Sequence, residues 1–356
     1  MIIIIAGGGT GGHLFPGVAL AEELRARGHE VMFVGTARGI EARVLPTEGW
    51  PLSLIEVRAL KGGSLVSKLR GAFSIPGALL QSGAIIKKCR PALVVGVGGY
   101  ASGPMVMRAA MGGIPTAILE QNSVPGITNR TLGKVVRIVC GAFPGAARFF
   151  PPKKYRLLGN PVRMKVRAAM AGADTITSHR GLLIVGGSQG AHAVNELVAG
   201  ALELLHHRGR TLPVVHQTGS ADLEAFTARY RAAGLTVDVR AFIDDMATAY
   251  RNARLVIARA GASTIAELTA IGVPSLLVPF PHAADDHQTA NARDLVDAGA
   301  ARLFVQAETT AEQLADILST LFDDDAALGA MAAAAQSMGR PDAHRDIADA
   351  LLQLVA

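Results

Sequence analysis

Apolar positions along the chain fall in short, uninterrupted β-branched runs, each followed by glycines and then by a stretch with helical spacing. Ile2–Ile5 leads into Gly7–Gly12 and a helical stretch over Val18–Arg27, and Val31–Val34 follows as a second strand. Leu93–Val97 leads into Gly98-Gly99 and a helix near Gly103–Met111; Gly113-Ile114-Pro115 then precedes the strand Thr116–Leu119. The second half repeats the theme. Leu182–Val185 runs into Gly186-Gly187-Ser188-Gln189-Gly190-Ala191, and Leu255–Ala258 runs into Gly261-Ala262-Ser263, a helix ending near Ile271, Gly272-Val273-Pro274 and the strand Ser275–Val278. Continuous apolar strands alternating with helices are strands covered on both faces, which means parallel sheets of the doubly wound α/β class. The repeat predicts two Rossmann-like domains, residues 1–160 and 161–340, with the boundary in the turn-rich, basic Pro151–Pro161. A last amphipathic helix within 341–356 is free to pack on either domain, including back on the first. The Asp run of 323–335 predicts a solvated helix start, because acids favour the positive end of the helix dipole.

Length and composition narrow this picture. At 356 residues the chain is long enough for two domains with sizeable cores, so neither disulfides nor metals are needed for stability. With 50% hydrophobic and 18% charged residues it is not a disordered chain. The net charge of +6 is unevenly spread: residues 1–160 carry 19 Lys and Arg against seven Glu and no Asp, for +12, and residues 161–356 carry 16 against 22 Asp and Glu, for −6. A basic first half calls for an anionic partner. Nucleic acid is not that partner, since aromatics are only 4% and no nucleic-acid-binding motif occurs. Cys89 and Cys140 form no CxxC unit and read as reduced, buried thiols. The opening apolar run, Ile2–Ala6, is too short for a signal peptide, and no run nears the ~18–20 residues of a membrane span. The expectation is a cytosolic protein, or one attached to a membrane surface without crossing it.

The chemistry sits at the glycines. Gly7-Gly8-Gly9-Thr10-Gly11-Gly12-His13 lets a backbone approach an anion in front of a helix N-terminus. It matches GxGxxG, but no acid ends the second strand, which counts against NAD; Arg38 keeps NADP open. His13 fits a structural cap as well as a general base. Gly98-Gly99-Tyr100-Ala101-Ser102-Gly103 is a second loop, able with the first to clamp a pyrophosphate or to serve as an ordinary tight turn. Glu120-Gln121-Asn122 lies at a strand's carboxyl end, where such sheets bind ligands. In the second half, Ser188 suits either a phosphate oxygen or a helix cap. Thr264 and Glu267 fit a capping box, or Glu267 accepts from a ribose diol. His282, Asp285, Asp286 and His287 match no zinc signature, and hydrogen bonds to a sugar or phosphate suit them better. Between residues 68 and 90, Phe73, Ile75, Leu79 and Leu80 lie among Lys68, Arg70, Lys87, Lys88 and Arg90. That pattern fits a core-facing helix with solvated cations, or a surface lying in an anionic bilayer interface. An NADP oxidoreductase would share the first loop but leaves the second-half phosphate loop and Glu267 unexplained.

Taken in order, GGGTGGHLFPG, GVGGYASGP, EQNSVPGITNR, LGNPVR, VGGSQGAHAVNE and RAGASTIAELTAIGVPSLLVPFPHAADDHQTANA resemble the bacterial peptidoglycan transferases of the MurG type, in glycosyltransferase family 28. These motifs run from residue 7 to residue 292. The resemblance implies a GT-B fold, two Rossmann-like domains facing a cleft, and inverting transfer of N-acetylglucosamine from UDP-N-acetylglucosamine. The acceptor would be the 4-hydroxyl of undecaprenyl-pyrophosphoryl-N-acetylmuramyl-pentapeptide, converting lipid I to lipid II in the peptidoglycan synthesis that cell shape and division depend on. It implies an acceptor- and membrane-binding first domain and a UDP-sugar-binding second one, at the cytoplasmic face of the inner membrane. Carried over residue by residue, Ser188 and Arg163 attend the donor phosphates, and Phe242-Ile243 hold the uracil. Ala262, Ser263, Thr264, Ile265, Ala266 and Glu267 form the nucleotide loop and helix start, with Glu267 on the ribose. Gln288 and Asn122 bind sugar hydroxyls, and Thr10, Gly11 and Gly12 line the donor side. Gly99 and Tyr100 belong to the acceptor pyrophosphate. His13 is the first candidate for the base and Glu120 the second; helix N-termini and Arg163 stabilise the leaving group with no metal and no cofactor. The nearest alternative is a UDP-sugar transferase acting on another lipid or a soluble acceptor.

Overall fold

The apolar runs become parallel strands in the computed structural model, which describes residues 1–57, 65–164, 166–167, 181–187 and 190–356, with side chains 65–74 left aside. The chain divides into two units, Met1–Met164 with Arg340–Ala356, and Lys165–Gly339.

The first unit is built on a seven-stranded sheet in the order β3-β2-β1-β4-β5-β6-β7. Its strands are β1 (Ile2–Ala6), β2 (Glu30–Gly35), β3 (Leu52–Leu54), β4 (Leu93–Gly96), β5 (Thr116–Glu120), β6 (Ile138–Gly141) and β7 (Tyr155–Leu157). Every pairing is parallel, for example Ile3 opposite both Val31 and Leu93. Ile3 and Ile5 point into one core with Leu14, Leu20 and Leu24, while Ile4 and Ala6 join Val94, Met105 and Ile118 on the other face. Alternation along β1 thus feeds two cores, which is why the strand is apolar throughout. The sequence order reverses between β1 and β4, and the reversal opens a crevice at their carboxyl ends. The helix Ala343–Leu352 buries Ile347 and Leu351 in the core that holds Leu20 and Leu24. Its Asp349 pairs with Arg27.

The second unit repeats the plan with six parallel strands in the order β10-β9-β8-β11-β12-β13. These are β8 (Gly181–Val185), β9 (Val214–Gln217), β10 (Asp238–Arg240), β11 (Ala253–Ala258), β12 (Ser275–Leu277) and β13 (Ala301–Leu303). Its reversal falls between β8 and β11, the counterpart of the β1–β4 step. The repeat read from residues 93–119 and 255–278 therefore occupies equivalent places in the two sheets. Among the acids of 323–335, Asp324 caps the helix Asp325–Met338 by accepting from Ala327 N at 2.8 Å. Cys140 is buried, which pushes its thiol up to about 12, and Cys89 is half-buried rather than buried.

Candidate active site

In the first unit the candidate residues cluster at the carboxyl ends of three adjacent strands, β1, β4 and β5. The loop after β1 is held from inside. Gly7 N donates to Val34 O (2.9 Å), Gly8 N to Gly98 O (3.2 Å) and Gly9 N to Glu41 Oε2 (2.7 Å). The three amides that the sequence offers to an anion are thus committed to the protein itself. What faces outward is the start of the helix Gly11–Ala26, whose first-turn amides have no acceptor in a preceding turn. Thr10 is its extended N-cap residue, and its Oγ1 lies 3.3 Å from His13 Nδ1. The Cδ2–Nε2 edge of the half-buried His13 ring faces Gly98, where a β-carbon would approach Cδ2 to 2.7 Å. With Nδ1–H donating to Thr10 Oγ1, Nε2 keeps its lone pair and is the basic nitrogen. Gly99 packs against Gly8 O in turn, and Tyr100 is exposed beside it.

Glu120 is the last residue of β5 rather than part of the loop beyond it, and it is 2% exposed. Its Oε1 accepts from Asn122 N (2.9 Å) and its Oε2 from Asn129 Nδ2 (2.8 Å). Burial pushes this carboxyl up to about 7, against the pull of those two donors. Gln121 Nε2 donates to Val97 O at 3.1 Å, tying the β5 loop to the β4 loop. The Arg163 guanidinium lies 4.9 Å from the ring centroid of Phe15, two residues beyond His13.

In the second unit, Ser188 and Gln189 lie outside the described residues. The flanking glycine loop is anchored through a carbonyl: Gly187 O accepts from Gln217 Nε2 (2.8 Å) and from Gly190 N (3.0 Å). Behind it runs a buried polar chain. Tyr230 Oη lies 2.8 Å from His216 Nδ1, and His216 Nε2 lies 3.0 Å from Asn195 Oδ1. Asn195 Nδ2 donates to Thr218 O (2.9 Å) and Asp222 Oδ2 (2.8 Å). Burial holds the His216 imidazole down to about 4, so it stays neutral.

The helix Ala262–Ile271 has Gly261 at its N-cap, so Thr264 is its third residue and the S/T-x-x-E box does not form. Glu267 is buried instead, accepting from Tyr250 Oη at 3.3 Å. Ser263 Oγ is shielded from solvent with no hydrogen-bond partner among the described residues. Ile265 is buried, whereas Thr264 and Ala266 are partly open. Ile243 is buried next to the exposed Phe242. Gln288 Oε1 accepts from Phe280 N (2.9 Å), which turns its Nε2 into the available donor. The loop before it contains consecutive left-handed residues, Asp285 and Asp286, and His287 Nδ1 meets Ala284 O at 2.6 Å.

Sequence reasoning missed the residues that hold these loops. Glu41 and Gln217 were not singled out, and Arg259 was noted without a role; it donates to Val278 O, Pro279 O and Gln306, fixing the segment that reaches Gln288. The one available signal for Glu41 is an acid just after a turn bracketed by Gly35 and Gly39. In the basic segment of 68–90, Leu80 is 77% exposed and Lys87 and Lys88 are exposed, while Ile85 and Ile86 pack on the core. The side chains of Lys68, Arg70 and Phe73 lie outside the described ones.

Comparison with known proteins matches residues 3–140 to the glycosyltransferase family 28 N-terminal domain and residues 181–347 to the family 28 C-terminal domain. The UDP-N-acetylglucosamine–N-acetylmuramyl-(pentapeptide) pyrophosphoryl-undecaprenol N-acetylglucosamine transferase of Myxococcus xanthus is 49% identical, over 100% of this chain and 93% of its own. The enzyme of the same name from Anaeromyxobacter dehalogenans is 50% identical with the same coverage. The crystal structure of Acinetobacter baumannii MurG is 36% identical and superposes with a TM-score of 0.83, covering 99% of both chains.

Proposed function

The chain belongs to glycosyltransferase family 28 and has its GT-B fold, and on that premise we propose that it transfers N-acetylglucosamine from UDP-N-acetylglucosamine to the 4-hydroxyl of a polyprenyl-pyrophosphoryl-muramyl-pentapeptide, with inversion. The observation that carries this reading is the full-length identity of about half to transferases of that name, with every motif of both loops in register. The acceptor hydroxyl attacks the anomeric carbon, the bond to UDP breaks, and UDP leaves with the electron pair. His13 Nε2 takes the hydroxyl proton. Its lone pair, set by Thr10 on the far nitrogen, supports that role, whereas the burial of Glu120 suits it to holding the Asn122 loop.

The donor is read by the second unit. Ser188 and the helix start at Ala262 serve the phosphates, and Ser263 Oγ supplies a shielded, unpartnered oxygen there. Glu267, steadied by Tyr250, takes the ribose; Ile243 packs on the uracil; Gln288 Nε2 and Asn122 address the sugar hydroxyls. Arg163 offsets the charge growing on the leaving pyrophosphate, and Gly99 with Tyr100 receives the acceptor pyrophosphate. Lys87, Lys88 and exposed Leu80 form an attachment to an anionic membrane on its cytoplasmic face, and among the described residues no helix is long and apolar enough to cross one.

Radiolabelled UDP-N-acetylglucosamine incubated with the muramyl lipid tests the reading: label is expected in the lipid extract, and its absence with an active donor overturns the proposal.

A further inference from the structure

The first glycine loop contains a buried carboxylate that no substrate reading uses. Glu41 opens the helix Glu41–Thr47 and is 1% exposed. Its Oε1 accepts from Thr36 N (2.9 Å) and Thr36 Oγ1 (3.0 Å), and its Oε2 from Gly9 N (2.7 Å). The pocket around it is made by absence of side chains: a β-carbon at Gly8, Gly35 or Gly39 would run into the Glu41 side chain. A doubly wound site for a dinucleotide places an acid at the end of the second strand, facing a ribose. Here the acid arrives six residues after Gly35, from the next helix, and turns back onto the loop. It satisfies from inside the amide that a phosphate would otherwise take from outside.

Gly9 is itself exposed, and nothing lies within 4 Å of where its β-carbon would be. Glu41 is therefore the grip on an otherwise open stretch of backbone. The next residue is Thr10, whose hydroxyl meets His13 Nδ1, and the His13 ring rests on Gly98. We infer that Glu41 is a positioning residue: by fixing Gly9 it sets Thr10 and so aims the His13 imidazole at the acceptor hydroxyl. This inference rests on the transferase reading above. Its force comes from charge as well as shape, since a carboxylate accepting three donors is held more tightly than a neutral amide would be.

Glu41→Gln tests it, because the substitution keeps volume but turns an NH2 toward one of the N–H donors. Turnover is expected to fall by about 30-fold, in line with displacement of a reacting group by a fraction of an ångström. The KM for UDP-N-acetylglucosamine and the affinity for UDP should stay within about twofold, as the donor loops belong to the other unit. In NMR spectra the Gly9 amide should lose its protection from exchange, and the His13 ring signal, assigned with His13→Ala, should shift. A lowered melting temperature with unchanged turnover and an unchanged His13 signal would mean a structural role only, and overturns the inference. If Glu41→Gln does not fold, Thr36→Val carries the test by removing one donor to the same carboxylate. A turnover loss of about threefold or more at constant donor KM supports the inference, and wild-type turnover overturns it. Failure of the transferase reading is seen separately, as absence of transfer by the unmodified protein, and leaves the Gly9 and His13 signals to decide the role of Glu41.

Discussion

The two units share a strand order and a glycine loop after the first strand, yet they hold that loop by opposite chemistry. In the first unit the loop's N–H groups are taken by acceptors: Val34 O, Gly98 O and the Glu41 carboxylate. In the second, the loop is held by its carbonyl, with Gln217 and Gly190 donating to Gly187 O. An amide N–H already bonded to a carboxylate offers nothing to a phosphate. A loop gripped by its carbonyl keeps its N–H groups for one. The difference assigns the nucleotide's phosphates to the second unit despite its net charge of −6 for residues 161–356, and leaves the first loop to aim His13. Similar glycine patterns on one topology are therefore not equivalent sites; the polarity of the group behind the loop distinguishes them.

The sharpest break in the comparison is His13→Ala. Loss of a general base should lower turnover by about 100- to 10,000-fold while UDP binding, measured by calorimetry, is unchanged; loss of UDP binding would assign the first loop to the donor after all. Next in size is the acid response of the second unit. The unfolded chain binds a proton at His216 below about 6.5, whereas the folded protein resists it until about 4. Stability from this residue is complete above pH 6.5 and is lost as pH falls toward 4, by about 3 kcal/mol in all. Unfolding midpoints of the wild type and His216→Gln, followed from pH 7.5 to 4.5, should converge as the pH drops. Third, Gly190→Ala places a β-carbon on Thr218 O at a φ of +77°, and should destabilise the second unit by about 2 kcal/mol. Gly9→Ala, at +87° but in open space, should cost about 1 kcal/mol in the same denaturation assay. The smallest expected effect is that of Gln217→Leu, which removes one donor from Gly187 O. UDP affinity should fall by about fivefold, roughly 1 kcal/mol, with turnover at saturating donor unchanged. A turnover loss larger than that of Glu41→Gln would reverse the assignment of roles.

The sequence by itself determined the layers, the parallel strands and the places where ligands meet them. A buried parallel strand needs an uninterrupted apolar run, and a strand-to-helix turn facing an anion needs glycine; both signals are local and survive without contacts. The order of motifs determined the family in the same way. The side chains that work across distance were not legible. Glu41 reaches Gly9 over 32 positions and Gln217 reaches Gly187 over 30; neither has a local pattern to mark it. Glu120 and Thr264 were misjudged in the other direction, since a polar residue beside a loop looks the same in sequence whether it faces substrate, ends a strand or lies one turn inside a helix. Only the tertiary structure decided which polar groups are buried and which donor each one meets. That decision separates a loop that binds phosphate from one that only resembles it, because a hydrogen-bonding group has one direction and, once committed inside the protein, is not available to a ligand.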